Sequence, residues 1–222
     1  MKLKKFKFSL MVGYLVIIFS IIIHQKMLDK KITNETLKLQ QQVEQMDSFI
    51  KIDKLHKENI NKVLLVLNRY NDSMPFAQKY AIASEISMAT MKYDNLDVDL
   101  ICATITHESA FTWDSKIVSP AGALGLMQVM PATGQFLAKI EGLKWTTPEE
   151  ILFDPVLNIR LGSRYLSSLI ELYDVDGGLA AYNGGGKRVE MWLAQNRAHG
   201  ILYEETQNYV PAVLSLYQEF RN

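Results

Sequence analysis

Along the first third of the chain the hydrophobic residues come first as a block and then as a seam. Phe8 to Ile23 is apolar except for Ser9, Gly13, Tyr14 and Ser20, and no polar stripe divides it. A helix apolar all round belongs in a membrane or a core. Sixteen helical residues reach about 24 Å, short of a hydrocarbon core of about 30 Å, and Phe6 with snorkelling lysines makes up the difference. No small-x-small cleavage site follows Ile23; the chain reads His24-Gln25-Lys26, which predicts an uncleaved anchor over residues 1–26. Lys2, Lys4, Lys5 and Lys7 place its N-terminal end in the cytoplasm and the remainder outside. From Met27 to Asn71 there is neither proline nor glycine, and Ile32, Leu39, Val43, Met46 and Ile50 keep helical spacing. This predicts a helical stalk over 27–72. Its seam spans barely three heptads before meeting Asp53, which leaves a solvated stalk and a weak stalk-mediated dimer both open. Ile60, Val63, Leu64 and Leu67 form a second stripe that ends in the turn-forming Asn71-Asp-Ser-Met-Pro75, where the domain boundary is placed.

Residues 73–222 are predicted to be one all-α domain. Phe76, Tyr80, Ala83 and Ile86 repeat at helical spacing, Asp97 or Asp99 is placed to cap the next helix, and Ile159, Leu166, Ile170 and Tyr173 share a face. No stretch alternates as a strand does. Glycines gather at Gly122, Gly125 and Gly184 to Gly186, marking the loops where chemistry is expected.

Composition narrows the function. Twenty-four basic and twenty-four acidic residues cancel, so no broad basic surface for nucleic acid is expected. The cancellation is uneven: residues 1–72 carry 13 Lys/Arg against 7 Asp/Glu, and the remainder 11 against 17. The single cysteine, Cys102, excludes an intramolecular disulfide and reads as a small buried hydrophobe. His24, His56, His107 and His199 lack ligand spacing, so neither a metal nor a cofactor is expected. Gly184-Gly-Gly-Lys187 is no phosphate loop, because Ala181 and Arg188 stand where that motif needs Gly and Ser or Thr.

The chemistry sits in Ile105-Thr-His-Glu-Ser-Ala-Phe111. On a helix Glu108 projects from the same face as Val98, Ile101 and Ile105, and it lies near a helix C-terminus. Burial and the negative end of the dipole both disfavour its ionised form, the condition for an acid that protonates a glycosidic oxygen near neutral pH. A Glu buried only at its stem and paired with a lysine is the alternative. No clear second carboxylate is evident: Asp114 falls in a loop and Asp154 suits a cap. The attacking oxygen would then come from the substrate.

Four segments, Glu108-Ser109, Ser119-Pro-Ala-Gly-Ala-Leu-Gly-Leu-Met-Gln-Val-Met-Pro131, Ala181-Tyr-Asn-Gly-Gly185 and Glu205-Thr-Gln-Asn-Tyr-Val210, resemble in order and spacing the motifs of the soluble-lytic-transglycosylase-like family, relatives of goose-type lysozyme. The resemblance runs from about Asp97 to Phe220. It implies a lysozyme-like helical fold and non-hydrolytic cleavage of the β-1,4 bond between N-acetylmuramic acid and N-acetylglucosamine. It further implies Glu108 as sole catalytic acid and base, a 1,6-anhydro product, and peptidoglycan glycan strands as partner. Ser119 maps to a contact with the muramic unit, Tyr182 and Asn183 to substrate contacts, and Tyr209 to a tyrosine that holds the catalytic carboxyl. Met127 suits an apolar wall, and Gln128 can donate to or accept from an N-acetyl group. The segment between Ser109 and Ser119 is about two residues longer than usual for the family and lacks its Asn-Pro, which makes Trp113 and Asp114 candidates for the cleft.

The expected protein is therefore a single-pass enzyme of a bacterial inner membrane, its domain in the periplasm or cell-wall space. A lysozyme-type hydrolase and a non-catalytic wall-binding or assembly protein are the alternatives, and a role beside wall or secretion-machine proteins stays open.

Overall fold

The computed structural model describes residues 2–222, with side chains described for Lys7 and from Leu10 onward. Lys2, Lys4, Lys5 and Phe6, on which the orientation and length of the anchor depend, have side chains outside the described residues. The described residues form eight helices: α1 (Lys2–Tyr70), α2 (Phe76–Lys92), α3 (Val98–Glu108), α4 (Pro131–Ile140), α5 (Pro148–Leu152), α6 (Pro155–Gly184), α7 (Gly186–Ala194) and α8 (Glu204–Arg221). Strand-like pairing among them is confined to isolated bridges from Leu124 to Val118 and to Val129.

The chain divides into two units, Met1–Lys54 and Leu55–Asn222. In the first, α1 contains an 18-residue window of mean hydropathy 1.8, none of it buried. Ile32, Leu39, Val43, Met46 and Ile50 of the seam are likewise exposed.

The second unit begins earlier than the expected boundary at 72/73. Ile60, Val63, Val66 and Leu67 on the last turns of α1 are buried in its core. His56 Nδ1 lies 2.8 Å from Ser87 Oγ, and Asn59 Nδ2 donates to Thr90 Oγ1 at 3.2 Å. The turn at 71–75 is thus a loop inside the domain, closed by the buried Lys79, whose ammonium donates to Asn68 Oδ1 and to the Asp72 carbonyl. The stripe on α2 also differs from expectation. Ile82, Ala83, Ile86 and Ala89 are buried, whereas Phe76 and Tyr80 are exposed because the core begins one turn further along.

α3 lies at the centre. Val98 to Thr106 are all buried, and Asp97 caps the helix by accepting from Leu100 N at 2.8 Å. α8 runs antiparallel beside it: His107 meets Tyr209 edge to face at 4.8 Å, and at the other end Tyr217 Oη donates to Asp97 Oδ2 at 2.6 Å. α6 starts on an Asp154 cap followed by Pro155 and breaks at Asp174, φ +61°. Arg160 of α6 grips Glu85 of α2 with two hydrogen bonds of 2.8 and 2.7 Å. The last turn of α3 is thereby carried to the protein surface on a helix that is otherwise enclosed.

Candidate active site

Glu108 is the last residue of α3 and is partly buried. The turn beyond it is wound tightly, with Ala110, Phe111 and Trp113 at φ of +50°, +63° and +52°, a region costly to bulky side chains. Its bonds hold it there: Phe111 N donates to Thr106 O at 2.8 Å and Trp113 N to Ser109 Oγ at 3.1 Å. The Trp113 ring is fully buried and its Nε1 donates to Thr106 Oγ1 at 3.0 Å. Trp113 therefore does not enter the cleft. Asp114 is exposed and accepts from Lys116 N at 2.9 Å, as a turn residue.

Burial pushes the Glu108 carboxyl from its ordinary value up to about 7; Tyr209 opposes the rise as a hydrogen-bonding neighbour, and the charge of Glu205 adds to it. The contact with Tyr209 stops short of a formed hydrogen bond, since the buried Tyr209 hydroxyl has no partner at bonding geometry. Burial and the nearby Glu108 raise the phenols of Tyr209 and Tyr182 well above their usual range. Burial lowers the pKa of His107, against a pull upward from Glu205. Glu108 is thus surrounded by neutral groups and one exposed carboxylate, a setting that keeps it protonated near neutral pH.

The loop from Ser119 to Met130 packs over this end of the domain. Ser119 Oγ accepts from Ala123 N at 3.0 Å and retains its O–H as a donor. Gly125, φ +78°, leaves no room for a side chain: a Cβ there would lie 2.2 Å from Leu152 O. Met127 differs from expectation. Its side chain is fully buried against Gly162 of α6, where a Cβ would lie 2.6 Å from its sulfur, so it forms core and not cleft wall. What Met127 presents is backbone: its carbonyl accepts from Tyr182 Oη at 2.7 Å. Gln128 adopts φ +46° and donates from Nε2 to Gly125 O at 2.8 Å and to Ile117 O at 3.3 Å. Both its N–H groups are spent, so it can only accept from a ligand, which corrects the expectation that it does either.

Tyr182 and Asn183 come from the end of α6. The Tyr182 ring packs on Tyr165 at 5.4 Å, and its hydroxyl is committed to Met127. Asn183 Oδ1 accepts from Thr206 Oγ1 of α8 at 2.7 Å, which leaves Nδ2 as a donor. Gln128, Met130, Thr133, Tyr165, Tyr182 and Asn183 line a cleft of about 310 Å³. One acceptor, Gln128 Oε1, and one donor, Asn183 Nδ2, complement the N–H and C=O of an acetamido group.

Two residues that shape the surroundings of Glu108 and the loop are not distinguished by the sequence. Asn158, fully buried on α6, accepts from Met127 N and donates to Leu124 O and Leu152 O, each at 2.8 Å, fixing the loop. A lone asparagine three residues after a helical Pro carries no signal that distinguishes it from a surface one. Glu205 lay inside the fourth motif, but only the packing of α8 on α3 brings its charge to Glu108. Among the described residues no cluster of His, Cys, Asp or Glu could hold a metal ion.

Comparison with known proteins gives a consistent assignment. A family described as Transglycosylase SLT domain matches residues 85–204. The soluble lytic murein transglycosylase of Escherichia coli K12 is 34% identical over 123 residues, 51% of this chain and 19% of that protein. The membrane-bound lytic murein transglycosylase C of Photorhabdus laumondii is 39% identical over 114 residues, 47% of this chain and 31% of that protein. The chain thus spans less than a third of either curated relative. The crystal structure of the 70 kDa soluble lytic transglycosylase of Escherichia coli superposes with a TM-score of 0.56 at 26% identity, over 77% of this chain and 30% of that one. With the family's match covering more than half of its length and the helical fold in agreement, this chain belongs to the transglycosylase SLT domain family.

Proposed function

We propose that the protein is a lytic transglycosylase that cleaves the β-1,4 bond between N-acetylmuramic acid and N-acetylglucosamine in peptidoglycan. The observation that carries this reading is Glu108, a single carboxyl with a pKa of about 7. Protonated, it gives its proton to the leaving glycosidic oxygen as the C1–O bond breaks. The resulting carboxylate takes the proton of the muramic C6 hydroxyl, whose oxygen closes on C1. The product is a 1,6-anhydro ring, no water is consumed, and Glu108 ends as it began. Tyr209 is the group that steadies the transient carboxylate. Ser119, Gln128 and Asn183 hold the sugar, with Gln128 accepting and Asn183 donating at an acetamido group, and Tyr182 fixes the loop from which Gln128 projects.

Glu205 supports a second reading. A carboxylate that Glu108 feels could place a water and make the reaction hydrolytic. The products decide: muropeptides released from purified sacculi are one water lighter if anhydro ends form, and exclusively reducing ends would assign the hydrolase.

The tethering follows from α1. Its exposed apolar window suits a lipid environment, and Lys2, Lys4, Lys5 and Lys7 before it support the reading that the segment anchors the chain in the inner membrane with the domain outside the cytoplasm. Fractionation of cells into membrane and soluble parts tests this; a shortened soluble form would identify a cleaved signal.

A further inference from the structure

Next to the cleft, on the same helix, lies a surface that the reaction does not use. Met130 and Thr133 at the start of α4 line the cleft. The neighbouring face of α4 and the chain after it, with Phe136, Lys139, Lys144 and Trp145, line an open recess of about 660 Å³. Phe136 is 65% exposed, and Trp145 lies over Gly134 of α4. Lys139 and Lys144 are exposed and, among the described residues, neither has a carboxylate within ion-pair distance, whereas Lys92, Arg160 and Arg164 nearby are all paired to Glu85 or Glu141. Two free ammonium groups beside two aromatic rings, in a domain with a surplus of acidic residues, mark a site for an anionic chain with some apolar character.

We propose that this recess binds the acidic stem peptide of the strand held in the cleft, an inference that rests on the peptidoglycan reading above. A glycan strand engaged at Met130 and Thr133 carries its peptide branch within reach of the recess. Nine residue steps along α4 lead from Met130 to Lys139, about 14 Å, and four extended peptide residues span about 13–14 Å. The peptide's free carboxylates meet Lys139 and Lys144, and its aliphatic parts lie against Phe136 and Trp145. The recess therefore selects peptide-bearing strands over bare ones.

The test uses the full chain, with intact glycan strands and the same strands stripped of peptide by an amidase. Lys139→Gln together with Lys144→Gln should raise KM on peptide-bearing strands about 2- to 30-fold, the effect of two exposed ion pairs. The value on stripped strands, and kcat on both, should stay unchanged, and Lys139→Arg with Lys144→Arg should restore the parent KM. Equal effects on both substrates, or none on either, would overturn the proposal. Binding of both strands to the Glu108→Gln variant by calorimetry keeps the test independent of turnover. Lysine-dependent preference for peptide-bearing strands supports the recess even if no strand is cleaved, in which case the enzymatic reading alone fails. Equal affinity for both strands removes it.

Discussion

Shortening the chain at two points separates what α1 does for the domain from what it does as a tether. A chain beginning at Ser73 lacks Ile60, Val63, Val66 and Leu67, whose exposures in the full protein run from 0 to 8%. At about 1.5–3 kcal/mol for each buried side chain, their removal costs about 6–12 kcal/mol, as much as the total stability of an ordinary domain. Lys79, buried under the same turn, also loses its Asn68 partner. A chain beginning at Leu55 keeps every one of these contacts. It should melt cooperatively, stay soluble and cleave isolated sacculi, whereas the Ser73 chain should show no cooperative transition and should bind a hydrophobic dye. Circular dichroism melts and sacculus digestion with both chains make the comparison. If the Ser73 chain melts within a few degrees of the Leu55 chain, the end of α1 is an appendage, and the boundary belongs at 72/73 after all.

Glu108→Gln should lower turnover by about 10²- to 10⁴-fold. It should also stabilise the protein above neutrality: the folded-state pKa is raised from the ordinary value to about 7, so parent stability falls as pH rises through that window, and the variant's gain in Tm should be larger at pH 8 than at pH 4. For the parent, kcat/KM should decline above about pH 7 as the proton is lost. Tyr209→Phe should leave Tm nearly unchanged, because the hydroxyl makes no formed bond, while lowering kcat about two- to tenfold and moving the alkaline limb upward; an unchanged rate with a large fall in Tm would make Tyr209 plain core. Gly162→Ala should cost about 1–3 kcal/mol by driving a methyl into Met127 and should also reduce kcat, since the loop bearing Gln128 must shift; normal activity with lowered Tm would uncouple loop from core.

Much of this was readable from single residues whose local signals are strong. Glu108 at the end of an apolar helical face and the caps at Asp97 and Asp154 depend on spacing along one helix, and they stand where the sequence places them. What depends on a partner from elsewhere in the chain was not readable. Met127 turns inward because Gly162, thirty-five residues on, leaves a hole of its shape, and Trp113 turns inward because Thr106 offers its ring nitrogen an acceptor. The extra loop length thus feeds the core, though an aromatic beside an exposed acid suggests a sugar platform. The boundary slipped for a similar reason: Asn71 to Pro75 has the composition of a linker, and only the burial of Lys79 beneath it shows a closed turn. Gln128 and Asn183 were placed by motif, but their polarity depends on which of their atoms the backbone and Thr206 had already claimed.

The three bonds of Asn158 give the loop from Ser119 to Met130 an all-or-none character. One amide serves Leu124, Met127 and Leu152, so the loop cannot drift by releasing one of them while keeping the rest, because each bond fixes the orientation the other two require. Seated, it holds Gln128 in a single pose; released, it strands three buried backbone groups at once. The part behaves as a latch and not as a hinge, and loss of this one side chain, buried and outside the lining of the cleft, would surrender the shape of the cleft in a single step.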